Sequence, residues 1–471
     1  MLNELEAVEL KISEVLEDNK LFRLEAEFFK KIYLKNHKLM KNNPTLNDNS
    51  KRILCGPFGS AILDETYKES GIKVIRPFNI KDLTIENENI VYIDEEDIKE
   101  KNLKTFTKNV IFFSRVGDIK CGIYIDDIFV TISPNIIAVE INDKYYNPYF
   151  LTLFFNVKYG FLQIQRELKI SAQPTVSTER LQNLKLPIID KSFQDEVGKL
   201  FIKATDKIVQ SQLVYKEAEE ILLKELDLLD FEPTQENIAI KSFSESFLAT
   251  GRLDSEYYQP KYDEIEDIIT SKKYTLIKNE FIQIKTSFDK SKTIYKYIEI
   301  GNINISDGSN IFNNVETSML PANAKINVAN GDLLISKVRP YRGAVSIINF
   351  DFKDLIVSGA FTVLRKKVES NINTQVLQVL LRTNIYKELL LKYNVGTSYP
   401  VIKDDDILNL KIPIIDLKIQ KKISDKIKTS FQLKSESKEL LALAKRAVEV
   451  AIEEGEEVAI KFIKERSYVE Y

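Results

Sequence analysis

Two short stretches of this chain set a cation beside a small hydroxyl at the end of an apolar run. They are Ser114-Arg115-Val116-Gly117 and Ser336-Lys337-Val338-Arg339, and Tyr341-Arg342-Gly343 extends the second. Each run ends in residues that favour turns, so each reads as a strand leading into a loop tip. Arg and Lys at such tips can neutralise phosphates or donate to guanine edges, and Gln or Asn can pair with adenine. Further residues of these kinds are Gln163, Arg166 and Gln173 in the first half, and Tyr399 and Lys403 in the second. Ser60, Arg76, Asn79 and Lys120, and in the second half Lys285, Lys290, Lys292 and Asn302, complete the candidate binding set. Any one of them could be a solvated loop residue; recurrence in both halves is what singles out the set.

Catalysis finds little support. The one histidine, His37, lies in a Lys-rich helical stretch and reads as a solvated surface residue. That setting leaves no Ser–His or Cys–His pair with local support and no histidine zinc site. Cys55 and Cys121 have no metal-binding spacing and read as free thiols of a reducing compartment. No phosphate loop ending in Gly-Lys-Ser/Thr is present. Gly56–Ser60 is Gly-rich but lacks that lysine, which leaves a tight turn or a turn offering backbone amides to a phosphate. Asn147-Pro148-Tyr149-Phe150 lacks the second proline of the Asn/Asp-Pro-Pro-Tyr/Phe motif of amino-methyltransferases, and it reads as a helix start. The expectation is a binding protein with no catalytic residue, metal or cofactor of its own.

The loops sit in a duplicated frame. Ser171–Asp190 recurs as Thr397–Asp416: Pro174 matches Pro400, Asn183-Leu184 matches Asn409-Leu410, and Lys185–Asp190 matches Lys411–Asp416, all at one constant offset. Arg23–Phe29 answers Arg252–Tyr258, and Ile12-Ser13-Glu14 answers Phe243-Ser244-Glu245. Strand-like runs at Lys73–Ile80, Asn109–Ile119 and Phe129–Ile141, then one or two helices over Asn147–Leu168, make the first copy a mixed α/β unit. After each repeated joint the pattern turns helical. Val197, Phe201, Ala204, Ile208, Tyr215, Ala218 and Leu222, with Ser211 in the gap, trace a heptad seam. The helical pattern runs from Phe193 to Leu229, and a helix of that length spans about 55 Å at about 1.5 Å per residue. The second such stretch, Leu417–Ile463, repeats the seam but breaks it at Ser430 and Lys434.

Hydrophobic content of 44% and charged content of 29% in 471 residues are ordinary for globular domains. The net charge of −3 excludes a chain that is basic throughout, yet Lys272–Ser346 holds eleven Lys/Arg against six Asp/Glu. Positive charge is placed locally, as a polyanion partner requires. The acidic N-terminus lacks the order of a signal peptide, and no apolar run is long enough to span a membrane, so a cytoplasmic protein without a membrane partner is expected.

The motif order resembles the specificity (S) subunit of type I restriction–modification systems. Gly56–Ile62 with Val74–Ile80, Phe112–Ile119, Gln173–Asp190 followed by a coiled-coil helix, and the second module from Arg252–Tyr262 to the Ile412–Asp416 joint carry the resemblance over nearly the whole chain. It implies an α+β fold of two mixed α/β target-recognition domains in pseudo-twofold arrangement, separated by an antiparallel coiled coil of two long helices. Those domains would be residues 1–190 and 231–416, and the helices 191–230 and 417–471. Each domain would read one half of a split site in double-stranded DNA, through the candidate residues above. The helices would dock two methyltransferase (M) subunits, and restriction (R) subunits would join them. S-adenosylmethionine would belong to the methyltransferase, and ATP and Mg to the restriction subunit. Ser358–Phe361 replaces Ser133–Ile136, Tyr399 replaces Gln173, and Gly56–Ser60 has no clear counterpart in the second half. The two half-sites are therefore expected to differ. A type IIB-like system with a fused methyltransferase–nuclease partner, a coiled-coil adaptor that binds only proteins, and an enzyme in its own right are the alternatives.

Overall fold

Runs of Val, Ile and Phe with no polar alternation form strands covered on both faces, as at Val110–Ser114, where every residue is buried. The computed structural model describes residues 7–16, 19, 22–57, 62–81, 83–169, 173–396 and 399–467. They divide between one unit of Met1–Lys207 with Ser435–Tyr471 and a second of Ile208–Lys434.

The first unit contains β1 (Ser50–Cys55), β2 (Ile72–Ile75), β3 (Ile80–Lys81), β4 (Thr84–Ile85), β5 (Val91–Ile93), β6 (Thr105–Phe106), β7 (Val110–Ser114), β8 (Cys121–Tyr124), β9 (Val130–Ile132) and β10 (Ile136–Ile141). One sheet runs β1-β10-β7-β8-β4-β3 and another β5-β2-β9-β6, with β2 and β9 parallel. The stretch Phe129–Ile141 is thus two strands in two sheets. Pro134, which cannot donate to a ladder, lies where the chain passes between them.

Two helices, Pro148–Phe155 and Lys158–Glu167, follow. The Asn147 side chain caps the first by accepting from the amides of Tyr149 and Phe150 (2.9 and 3.2 Å). The helices meet at Gly160, where an added Cβ would lie 2.3 Å from the Phe154 carbonyl oxygen, so no larger residue fits without moving backbone. Phe113, Phe150, Phe154, Phe155 and Phe201 join Ala444, Val448 and Ala451 in one buried core.

The second unit repeats this plan with β11 (Tyr274–Leu276), β12 (Phe281–Gln283), β13 (Ile294–Ile298), β14 (Asn313–Glu316), β15 (Ala324–Asn327), β16 (Leu333–Ser336), β17 (Val345–Ile347), β18 (Leu355–Ser358), β19 (Phe361–Lys366) and β20 (Lys411–Pro413). Sheet β12-β19-β16-β17 corresponds to β1-β10-β7-β8, and β14-β13-β18-β15 to β5-β2-β9-β6, again with one parallel pair, β13 with β18. Helices Thr374–Arg382 and Asn384–Leu391 take the place of the first unit's pair.

The repeated phrases build the same joints in each unit. Arg23 donates to the carbonyls of Arg166 and Leu168 (2.9 and 2.8 Å), and Arg252 to those of Tyr393 and Asn394 (3.4 and 3.0 Å). Gln194 accepts from the Asn147 amide and donates to the Ile189 carbonyl; Gln420 does the same with Asn373 and Ile415. Each long helix is therefore pinned, at its first turn, to the cap of a helix in its own unit.

The long helices are Lys191–Glu225 and Leu417–Glu454. The second stops short of the expected Ile463: Gly455, in the left-handed region at φ +98°, separates it from a further helix, Glu456–Ser467. In the first unit Ser437 Oγ donates to the Ala204 carbonyl (2.7 Å) and Lys207 pairs with Glu436; in the second Lys426 pairs with Glu217. Both stretches pack antiparallel. Val197, Phe201, Ala204, Ser211, Tyr215, Ala218 and Leu222 are buried, as the seam requires, and Ile208 is half-buried. Ser430 does not interrupt the seam. Ser211 and Ser430 each donate to the other's backbone carbonyl (2.9 and 2.8 Å), and their small size lets the helices approach.

Lys434 leaves the seam to pair with Asp307, whose carboxylate also accepts from the Ser309 amide (2.8 Å). Burial pushes the Asp307 carboxyl up, but the Lys434 charge and these hydrogen bonds more than offset it and hold it below the usual range. A carboxyl depressed in the fold contributes stability above its unfolded value of about 4 and loses it as pH falls through the folded value. Asp307→Asn is expected to lower the stability of the second unit by about 2 kcal/mol at neutral pH. In urea titrations the difference should shrink as pH falls below about 4.

Candidate nucleic-acid interface

Strand β7 ends at Ser114, which is fully buried. Its Oγ donates to the Asp118 carbonyl (3.0 Å) and accepts from the Lys120 amide (2.7 Å), closing the loop that follows. Strand β16 ends at Ser336, also buried, whose Oγ donates to the Val338 carbonyl (2.8 Å). The two serines thus shape the loops and leave the surface to their neighbours.

Each loop is locked to the segment that contains the repeated proline. In the first unit the Gly117 amide donates to the Pro174 carbonyl (2.9 Å) and the Val176 amide to the Arg115 carbonyl (3.0 Å). In the second the Arg339 amide donates to the Pro400 carbonyl (2.9 Å) and the Ile402 amide to the Lys337 carbonyl (2.9 Å). On the other side the Arg115 amide meets the Asn135 carbonyl (2.8 Å), and the Lys337 amide meets that of Ala360 (2.9 Å). The change from Ser133–Ile136 to Ser358–Phe361 therefore preserves the backbone contact. Pro174 and Pro400 act through carbonyls, and proline's fixed φ suits a segment that must hold that position.

These interlocks gather side chains that are distant in sequence. In the first unit Arg115, Lys120 and Gln173 are exposed, and the Arg115 guanidinium lies 3.5 Å from the Cys55 sulfur. In the second unit Arg339 adopts the left-handed conformation (φ +46°), and its guanidinium sits 5.1 Å from the ring centroid of Tyr399, itself exposed. Arg342 and Lys403 are exposed beside it in the same loop and segment, and Tyr341 is half-buried. A planar cation over an exposed ring offers a charge and a stacking surface together.

The other candidates occupy different surroundings. Asn79 is fully buried: it accepts from the Arg76 amide (3.0 Å) and donates to the carbonyls of Glu86 and Glu88 (3.1 and 3.0 Å). Arg76 is half-buried, donates to the Asn89 carbonyl and lies 5.8 Å from the Tyr67 ring. Asn302 holds the matching turn by accepting from the Glu299 amide (2.9 Å). Gln163 pairs with both backbone groups of Lys185 (2.7 and 2.9 Å), and buried Arg166 donates to the Phe28 carbonyl (3.2 Å). Lys285 and Lys290 are exposed between β12 and β13, and Lys292 lies 4.0 Å from Asp354. Ser60 lies outside the described residues.

His37 is half-buried, not a solvated surface residue: it lines a cavity of about 90 Å³ with Asn36, Arg166 and Glu167. Sequence reasoning missed three residues around the second loop. Asp404 pairs with Lys337 (3.1 Å) and accepts from Thr362 Oγ1 (2.6 Å), and Gln283 also bonds to it. Burial pushes the Asp404 carboxyl up, yet these three partners together hold it below the usual range. In sequence Asp404 is only the first of three aspartates opening a short helix, a pattern that helix polarity alone explains. Among the described residues there is no His/Cys/Asp/Glu group fit to hold a metal ion and no helix long and apolar enough to cross a membrane.

Residues 261–443 match the family model described as a type I restriction modification DNA specificity domain. The chain is 24% identical over 334 residues to the type I restriction enzyme MjaVIII specificity subunit of Methanocaldococcus jannaschii, covering 67% of this chain and 72% of the relative. It is 31% identical over 112 residues to the HindI specificity subunit of Haemophilus influenzae, covering 22% of this chain and 23% of that one. A solved type I restriction–modification S subunit from M. genitalium aligns over 86% of this chain and 94% of its own, with 11% identity and a TM-score of 0.43. The matched domain encloses the Lys337–Gly343 loop, the Pro400 segment and the start of the second long helix, and the likeness to a whole specificity subunit covers 67% of the chain: residues 261–443 match a type I restriction modification DNA specificity domain, and the chain is similar to type I specificity subunits.

Proposed function

We propose that the chain is the DNA sequence-specificity subunit of a type I restriction–modification complex, with each unit reading one half of a bipartite site in double-stranded DNA. The observation that carries this is the interlock built twice, which sets a strand-end loop beside a proline segment and presents exposed cations in each unit. Phosphate contacts from Arg115, Lys120, Arg339, Arg342 and Lys403 supply salt-dependent affinity, and base contacts from Gln173 and Tyr399 and their neighbours discriminate. Different side chains on equal backbones, Gln173 against Tyr399 and Gly117 against Arg339, favour two different half-sites.

In this reading the chain is not catalytic. Two methyltransferase subunits dock on the long helices and restriction subunits join them, in the cytoplasm. S-adenosylmethionine serves the methyltransferase, and ATP and Mg the restriction subunit. The proposed domains are 1–190 and 231–416, with spacer helices 191–230 and 417–471.

The test is to express the chain with its methyltransferase and map modified adenines genome-wide. A split motif is expected, and exchanging residues 252–416 for those of another specificity subunit should change one half of it. A short continuous motif, or no modification, would overturn the reading.

A further inference from the structure

The two loops differ in how the cation that leaves the strand is held. Arg115 is exposed and faces a thiol sulfur. Lys337, at the matching place, has its ammonium 3.1 Å from Asp404 Oδ1, and the two side chains are 21% and 26% exposed. Asp404 is itself fixed: Thr362, fully buried on β19, donates to the same oxygen at 2.6 Å. The constant offset of the duplication puts Thr178, which has no charge, where Asp404 stands. The tether therefore belongs to the second unit alone.

We infer that Asp404 is a specificity-determining residue of the second unit, holding the Lys337 ammonium away from DNA phosphates and restricting it to base-edge acceptors. The inference rests on the DNA-reading function proposed above. An ammonium has three donors. With one engaged by Asp404 and its charge balanced there, a phosphate oxygen would have to approach the carboxylate as well as the cation, which removes most of the electrostatic gain. A neutral acceptor such as guanine O6 or N7 meets no such repulsion and can use the remaining donors. The pair thus weakens binding that depends on charge alone and leaves binding that depends on sequence, which is discrimination by penalising the wrong partner. Asp404 remains ionised for this at neutral pH, since its partners hold its carboxyl below the usual range.

The full chain, co-expressed with its methyltransferase, is titrated with a fluorescent duplex of random sequence over a range of salt concentrations. Asp404→Asn should bind this duplex several-fold more tightly at low salt, and its log-affinity should fall with log-salt more steeply, by the increment of about one neutralised phosphate. Lys337→Met alone should leave the random-duplex slope unchanged, and adding it to Asp404→Asn should restore the original slope. Genome-wide, Asp404→Asn should spread methylation to sites altered in the half read by the second unit. An unchanged slope in Asp404→Asn, or a shallower one in Lys337→Met, would overturn the inference while the DNA-reading function stood. Failure of the unaltered complex to bind any duplex would sink both. A circular-dichroism melt of each variant separates these outcomes from misfolding.

Discussion

Arg382→Leu is expected to destabilise the second unit by about 3–5 kcal/mol, the largest single-residue effect on its fold. The buried Arg382 guanidinium donates to the Tyr215 hydroxyl (2.8 Å), the Gly343 carbonyl (2.9 Å) and the Ile305 carbonyl (3.0 Å). Those acceptors come from the first long helix, the end of the candidate binding loop and the loop that also holds Asp307. Removing the guanidinium takes the donor from the Tyr215 hydroxyl and the Ile305 carbonyl, and leaves the Gly343 carbonyl only the Val345 amide (2.8 Å), in a site sized for the larger group; each group left unsatisfied costs about 1–3 kcal/mol. Arg382→Lys should recover only part of the loss, because one ammonium on a flexible stem cannot reproduce a planar fork. The measurement is the urea midpoint of the full chain, followed by a probe placed in the second unit. A shift equal to that of an exposed substitution such as Lys403→Ala would show that Arg382 does not hold the loop.

The triple variant Arg339→Gln, Arg342→Gln, Lys403→Gln is expected to have the largest effect on binding. Arg342 and Lys403 are exposed and Arg339 is half-buried over Tyr399, so the fold should survive their neutralisation. Removing one cation from a phosphate makes log-affinity less dependent on log-salt by about 0.9. Neutralising all three should therefore flatten the dependence by nearly three and lower affinity for duplex DNA by orders of magnitude at low salt. Arg115→Gln with Lys120→Gln in the first unit should act in the same direction and more weakly, since two cations are removed there. A single neutralisation that abolished binding at every salt concentration would point instead to a base contact at that residue.

Sequence and structure agree most closely where local chemistry leaves few choices. The repeat of Pro174 in Pro400 and of Arg23 in Arg252 announced two like units, and both pairs make the same backbone bonds in each. The seam from Val197 to Leu222 was readable because a heptad pattern has one physical solution, burial against another helix. Less was legible where a residue type fits two environments. Asn79, Ser114, Ser336, Gln163 and Arg166 are the polar types that bind nucleic acid, and the same types satisfy buried backbone groups. In the fold all five bond to nearby backbone, at turns, strand ends and a helix face. Ser430 looked like a break in the seam because a hydroxyl is polar, but a facing carbonyl removes that penalty.

What the sequence determined by itself is therefore the duplication, the two helical stretches, the mixed α/β character of each copy and the loops from which cations project. These follow from periodicity and from residues, such as proline, whose backbone preferences hold in any context. Only the tertiary structure decided which polar side chains stay at the surface, that Pro174 and Pro400 bond to the loops, and that Asp404 reaches Lys337 from a segment far along the chain. Hydrogen bonds and ion pairs act over about 3 Å in space, and distance along the chain carries no record of which groups folding brings that close.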